Sequence, residues 1–309
     1  MAARDHGGGI DAARARWGGA LDDWLDLSTG INPVPYPLPS ITMRDWTALP
    51  DRDAQSALLD AARAFWRVPD GAEILAVHGA SALIARLPVI APPGPVDIPA
   101  PTYNEYAAAF RAAGRDIGPG GATRVLVHPN NPDGRLWSRG DVTPGLTVID
   151  ESFGDVTPDR TMESLAREKH VIVLKSFGKF WGLAGLRLGF AIGHTDTLAP
   201  LREAMGPWSV SGPALRVGTL ALTDREWAVE TRIRLAADAR RLDRLMEPHG
   251  RLVGGTDLFR LYDVTYAAAM QDRLGQARIW SRIFPYSDRW LRLGLPHPDR
   301  WPQLEEALG

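Results

Sequence analysis

Ser176-Phe-Gly-Lys179-Phe-Trp-Gly-Leu-Ala-Gly-Leu-Arg187-Leu-Gly189 follows directly on the apolar run Val171 to Leu174. A serine, a lysine and an arginine thus stand where a strand would end, the edge at which α/β proteins collect ligand-binding groups. A lone lysine is usually a solvated charge. Lys179, however, lies between Phe177 and Phe180-Trp181, with glycines at 178, 182, 185 and 189. Such neighbours suit a backbone packed closely against something.

An amine beside hydroxyl and guanidinium donors can hold an aldehyde and a phosphate together, which points to pyridoxal phosphate. Two nucleotide motifs are excluded by inspection. The P-loop needs a glycine five residues before the Gly-Lys pair, where this chain has Val173. No Gly-x-Gly-x-x-Gly follows a predicted strand either.

With 309 residues the chain can bury a large core, and one large and one smaller domain are expected. Thirty-five basic against 37 acidic residues leave a formal net charge of -2, so no global field favours nucleic acid or an anionic membrane. The absence of cysteine removes disulfides, thiolate nucleophiles and cysteine-bound metal sites. The N-terminus lacks an apolar signal core, and no run of about 18 apolar residues occurs. A soluble, cytoplasmic protein is expected. The 11 tryptophans show no repeating interval and read as core and interface anchors.

Short apolar runs alternate with alanine-rich amphipathic segments, the pattern of an α/β sheet. Helices are predicted over 55–66, 81–90 with an interruption at Pro88, 105–113, 195–205 and 212–222. Strands are predicted over 73–77, 124–127, 146–149, 171–174 and 188–192. Asp224 can cap a long helix reaching about Glu247. Beyond it, short strands at 258–262 and 291–293 flank a helix. The expected division is a large domain over 36–222 and a small one formed by 1–35 and 223–309. The stretch Asn32-Pro-Val-Pro-Tyr-Pro-Leu-Pro39 is stiff and extended, and serves equally as a crossing between domains or as a surface linker.

Several further motifs each follow a predicted strand. Asp150-Glu151 ends the run Leu146-Thr-Val-Ile149, and a carboxylate there can stabilise a protonated pyridine nitrogen. Taken alone, the pair serves as well as a structural or metal-binding group. Metal binding is disfavoured because the seven histidines show no His-x-x-x-His spacing. His78-Gly-Ala-Ser81 opens a helix whose free amides can hold a phosphate, or is an ordinary capped turn. Tyr103, ahead of another helix, can stack on a flat heterocycle or belong to the core. His128-Pro-Asn-Asn131-Pro-Asp-Gly134 is a turn in which an asparagine amide can donate to a phenolate oxygen.

Taken in this order, the motifs resemble those of the fold-type I pyridoxal-phosphate enzymes of the class I/II aminotransferase superfamily. Within it the chain is similar to the threonine-phosphate decarboxylases of cobalamin biosynthesis. The His6-Gly-Gly start, Leu27-Ser-Thr-Gly-Ile-Asn32-Pro33, Asp-Glu-Ser-Phe153 and Pro207-Trp-Ser-Val210 carry the second likeness. It implies a large three-layer α/β/α domain with a mainly parallel sheet, a smaller α+β domain and a homodimer.

The resemblance makes Lys179 the residue that binds the cofactor aldehyde and Asp150 the partner of the ring nitrogen. It sets Asn131 at the phenolate oxygen, Tyr103 on the ring, and Ala80, Ser81, Ser176 and Arg187 at the phosphate. Arg292 would grip the substrate carboxylate as a planar two-pronged donor. Arg282, His6 and Asn32 match further substrate-binding positions. Phe153 stands where many aminotransferases have a tyrosine, and Ala48-Leu-Pro-Asp51 replaces a usual Tyr-Pro-Asp. The implied reaction is decarboxylation of O-phospho-L-threonine. Its rivals are a histidinol-phosphate-like aminotransferase and a non-catalytic cofactor-binding regulator, and no metal, nucleic acid or membrane partner is expected.

Overall fold

The computed structural model describes residues 6–309; Met1–Asp5, which the sequence reading assigns to the small domain, lie outside the described residues. The chain forms two units. The larger holds Pro35–Asn131 and Arg135–Val229, and the smaller holds residues 6–34, Pro132–Gly134 and Glu230–Gly309.

In chain order the strands are β1 (Leu25–Asp26), β2 (Ala72–Val77), β3 (Val96–Asp97), β4 (Thr123–Val127), β5 (Leu146–Asp150) and β6 (Val171–Ser176). They continue with β7 (Gly189–His194), β8 (Gly250–Thr256), β9 (Phe259–Val264), β10 (Ile279–Trp280), β11 (Arg282–Phe284) and β12 (Ser287–Gly294).

The larger unit is built on one sheet in the order β2-β7-β6-β5-β4-β3. β3 to β6 pair in parallel, and β7 runs antiparallel between β6 and β2. Every residue of β5 is buried, as expected for a central strand covered on both faces. One face presents Val125, Val127, Val148, Ile172 and Leu174 to Leu83, Tyr106, Phe110 and Leu198 from the flanking helices. The alternate residues, including Ile149, Val173 and Phe190, are equally buried, and Trp66 packs edge-on against Phe190. Burial on both faces makes this unit a three-layer α/β/α arrangement.

The smaller unit carries a four-stranded antiparallel sheet, β11-β12-β9-β8, and the parallel pair β1-β10. The helix Ala267–Gln276 packs on β10, β11 and β12, which gives the unit its α+β character.

Two expectations need correction. The single helix over 81–90 is two short ones, Ala80–Ile84 and Leu87–Ile90, with Pro88 in the first turn of the second. Proline fits there because a first-turn N–H has no intrahelical partner to lose. The short strands read in the C-terminal part omitted β8, whose three glycines and register shift between Leu252 and Gly254 erase the alternation that marks a strand. No helix among the described residues is long and apolar enough to cross a membrane.

Candidate active site

Parallel strands bring their C-terminal ends to one edge, and here β5 and β6 lie in register with Asp150 opposite Leu174. Asp150 closes β5 and Ser176 closes β6. Along a strand, alternate residues share a face, so both point to the side occupied by Tyr106 and Leu174. The loops beyond these ends surround a cavity in the larger unit. Lys179, Asp150, Asn131 and Tyr103 line it, as do Ala80, Ser81, Ser176 and Arg187. All the residues expected from sequence at the cofactor are therefore brought together.

Asp150 is buried and receives three donors. The Ser152 N–H and hydroxyl donate to Oδ1 at 2.8 and 2.5 Å, and the Tyr106 hydroxyl donates to Oδ2 at 2.7 Å. An ionised carboxylate is purely an acceptor, and this donor set matches it. Burial and then the Asp150 charge raise the Tyr106 pKa well above the usual tyrosine range, which keeps its hydroxyl a donor.

Lys179 is half-buried, and its Nζ lies 5.3 Å from the centre of the Phe153 ring. The loop carrying it is held from behind by aromatics: Phe177 stacks on Trp181 at 5.1 Å, and Trp181 stacks on Trp227 at 5.3 Å. Arg187 takes a left-handed backbone conformation, φ 53°, that few non-glycine residues adopt. Its guanidinium comes close to Gly79, where an added Cβ would sit 2.5 Å from Arg187 Nη2. Gly79 has φ +93°, which favours glycine, and a Cβ there would also push the Arg187 guanidinium aside. The backbone at Gly79-Ala80-Ser81 and the arginine thus form a tight cationic corner. The helix behind it spans only Ala80–Ile84, so amides and guanidinium matter more here than any helix dipole.

Sequence reasoning missed the residues that hold others in place. Asn130 accepts from the Thr102 hydroxyl at 2.6 Å and donates to the Pro101 carbonyl at 3.0 Å, which ties the turn of Asn131 to the segment of Tyr103. Tyr103 meets Tyr106 edge-on at 6.3 Å. Ser152, Ile84 and Val127 also line the cavity. Only Ser152 had a signal, a hydroxyl two residues beyond an aspartate, the spacing of a local side-chain turn.

The four residues expected at the substrate lie in the smaller unit. Arg292 on β12 pairs in register with Arg282 on β11. Arg292 is buried, donates to the Ser28 carbonyl at 2.6 Å and lies over the Phe259 ring. Burial first, and then the like charge of Arg282, lower its pKa to about 10, which still leaves it cationic near neutrality. Asn32 is buried and accepts from Val34 N–H at 3.1 Å and from Arg234 at 2.8 Å. His6 is exposed, at the start of a segment anchored where Gly8 N–H donates to Ser28 Oγ at 2.6 Å.

The donor set of the cavity fits pyridoxal phosphate: an amine, a buried carboxylate, an amide, an aromatic ring and a cationic corner whose backbone turns through a positive-φ glycine at position 79. Among the described residues no group of His, Cys, Asp and Glu is arranged to hold a metal ion.

The chain belongs to the aminotransferase class I and II family, whose pattern matches residues 115–299. It is 41% identical to a threonine-phosphate decarboxylase from a Sinorhizobium species, over 94% of this chain and 92% of that one. It is 39% identical to a threonine-phosphate decarboxylase from Pseudomonas aeruginosa, over 98% and 97%. Its fold matches the crystal structure of histidinol-phosphate aminotransferase from Sinorhizobium meliloti in complex with pyridoxal-5'-phosphate. That match has a TM-score of 0.81 and 19% identity, and covers 97% of this chain and 93% of that one.

Proposed function

We propose that the protein is a pyridoxal-phosphate-dependent lyase that decarboxylates O-phospho-L-threonine to 1-amino-2-propanol O-phosphate in cobalamin biosynthesis, acting as a cytoplasmic homodimer. One observation carries the reaction class: Lys179, Asp150, Asn131, Tyr103, Ser176 and Arg187 line a single cavity. The choice of substrate is supported by the two relatives matched over nearly the whole chain.

In this reading Lys179 binds the cofactor aldehyde through its amine. Asp150 holds a proton at the ring nitrogen, its own orientation set by Ser152 and Tyr106. Asn131 donates to the phenolate oxygen and Tyr103 covers the ring. The amides of Ala80 and Ser81, the Ser176 hydroxyl and the Arg187 guanidinium hold the phosphate, a charge-assisted set. When bound, pyridoxal phosphate supplies an electron sink for the pair released as the bond from the α-carbon to the carboxylate breaks.

Arg292 orients the substrate carboxylate, and Arg282, His6 and Asn32 fix its phosphate end. Holding both ends sets which α-carbon bond breaks, a contribution of orientation rather than of acid or base strength. The carbon that loses carbon dioxide needs a proton, and Lys179, once freed by the substrate amine and carrying the proton that amine gives up, would donate it. Phe153 brings no hydroxyl to the cavity, so the surroundings of Lys179 on that side stay apolar.

The purified protein should be incubated with pyridoxal phosphate and O-phospho-L-threonine, and both carbon dioxide and keto acid measured. Carbon dioxide released without a 2-oxo acid acceptor is the expected result. Keto acid formed only with an acceptor would make the enzyme an aminotransferase of the histidinol-phosphate kind. A bound cofactor band with neither product would make it a binding protein.

A further inference from the structure

Lys175 has no part in the chemistry above, yet it is buried among three buried carboxylates. Its Nζ lies 2.7 Å from Glu151, 2.5 Å from Glu163 and 3.7 Å from Asp155, and its side chain is 2% exposed. Strand alternation explains its place, since Ser176 faces the cavity and Lys175 therefore faces the other side of the sheet with Val173.

Each carboxylate reaches a different segment. Glu151 directly follows Asp150 and accepts from the Thr161 hydroxyl and the Met162 N–H, both at 2.6 Å. Asp155 accepts the indole N–H groups of Trp66 and Trp181 at 2.8 and 3.0 Å, and Trp181 lies two positions beyond Lys179. Glu163 opens the 3-10 turn Glu163–Arg167, which packs on β6 and β7. From β7 the only titratable side chain is His194, at the strand's end beside Asp196.

One ammonium cannot balance three ionised carboxylates. Burial raises the Glu163 carboxyl to about 7 even though Lys175 pulls it down, and the Glu151 charge adds to the rise. Burial works against the charge of Lys175, but the surrounding carboxylates outweigh it and hold its pKa above the usual lysine range. The cluster therefore keeps its lysine charged, while Glu163 exchanges its proton around neutrality.

We infer that Lys175 is a positioning residue for the cofactor cavity: by gathering Glu151, Asp155 and Glu163 behind the sheet, it fixes where Asp150, Ser176 and Lys179 stand. Apolar side chains of similar volume would serve packing at least as well, because buried charges repay their desolvation poorly. What the charges add is direction. From its place near the end of β6, the Lys175 ammonium donates to Glu151 just beyond β5, and its 3.7 Å ion pair with Asp155 links it to the carboxylate that holds Trp181, two positions beyond Lys179. The inference rests on reading the cavity as a pyridoxal-phosphate site.

The test is the affinity for pyridoxal phosphate, read by absorbance and tryptophan quenching, of the wild type, E163Q, K175M and K175M/E163Q. Comparing the wild type with E163Q cancels pH effects common to both, such as titration of the Lys179 amine and the cofactor phosphate. The dissociation constant of the wild type divided by that of E163Q is expected near one at about pH 6 and at least about threefold higher at about pH 8.5, as Glu163 loses its proton. K175M should weaken binding about tenfold or more, and the double variant should recover about threefold of it by removing one uncompensated charge.

A ratio that stays flat with pH, with no recovery in the double variant and changes confined to melting temperature, would reduce the cluster to packing. If K175M does not fold, the ratio for E163Q decides alone. Failure of the wild type itself to bind the cofactor would overturn the reading of the cavity and this inference with it.

Discussion

Tyr106 does two things from one fully buried position: its hydroxyl donates to Asp150 and its ring supports Tyr103 edge-on. Y106F keeps the ring and removes the donor. We expect a loss of about 1.5–3 kcal/mol in unfolding free energy, the usual range for a hydrogen bond to a charged group, and a fall of about threefold to tenfold in kcat with little change in KM. Urea unfolding and carbon dioxide release measure the two. At Gly79, G79A places a methyl 2.5 Å from the Arg187 guanidinium and forces φ +93° on a residue with a Cβ. Pyridoxal phosphate should bind about tenfold or more weakly, as the arginine is displaced and a backbone at φ 93°, ψ 148° is strained by about 1–3 kcal/mol. A G79A protein that binds as tightly as the wild type would remove this corner from the phosphate site. These residues divide what was legible from what was not. Lys179, Asp150 and Arg187 could be read because the chemistry demands an amine, a carboxylate and a cation at strand ends. Tyr106, Asn130 and Lys175 could not, because each acts on another residue whose proximity only the folded chain creates.

The central strands were legible for a similar reason, since β4 to β7 are apolar runs bounded by turn residues and buried on both faces. β1, β3 and β10 are two residues long and carry no period at all, and β8 is broken by glycines. The aromatic stack behind the lysine loop also escaped notice, because Trp227 lies on the helix Arg225–Met246, well separated in sequence from Trp181. W227A should cost about 3 kcal/mol in urea unfolding, the low end for truncating a packed tryptophan, because Trp227 is only half-buried. It should also weaken cofactor retention on dialysis, whereas an unchanged holoprotein would show that the stack does not brace the loop. The turn at Glu163 makes a pH prediction. With a folded pKa of about 7 against an ordinary 4.5, the native state binds more protons than the unfolded chain between these values, so this group makes stability fall as pH rises through that window. E163Q should remove that fall, seen as a stability gain over the wild type that is larger at about pH 7.5 than at about pH 5.

At the scale of the whole molecule, the larger unit leaves an apolar surface that its own core does not use. Leu38, Met43, Trp46 and Leu49 are 68%, 73%, 66% and 67% exposed within twelve positions of chain. A groove of about 300 Å³ beside them is lined by Ala48, Leu49, Leu215 and Leu220. Single exposed apolar residues are ordinary, but four in one short stretch, the last of them lining an apolar groove, mark an interaction surface. A second copy is the proposed occupant, in keeping with a net charge of only -2 that opposes self-association weakly. The wild type should then run in light scattering at twice its chain mass of 33.7 kDa. W46D/L49D would place two carboxylates in a face that must lose water on association, at a cost of several kcal/mol, and should run as a single chain with its far-ultraviolet circular dichroism intact. Both substitutions lie on exposed positions outside the sheet, so a folded monomer is the expected form. A wild type that is already a single chain at micromolar concentration would leave this surface for some other partner and remove the homodimer from the proposal.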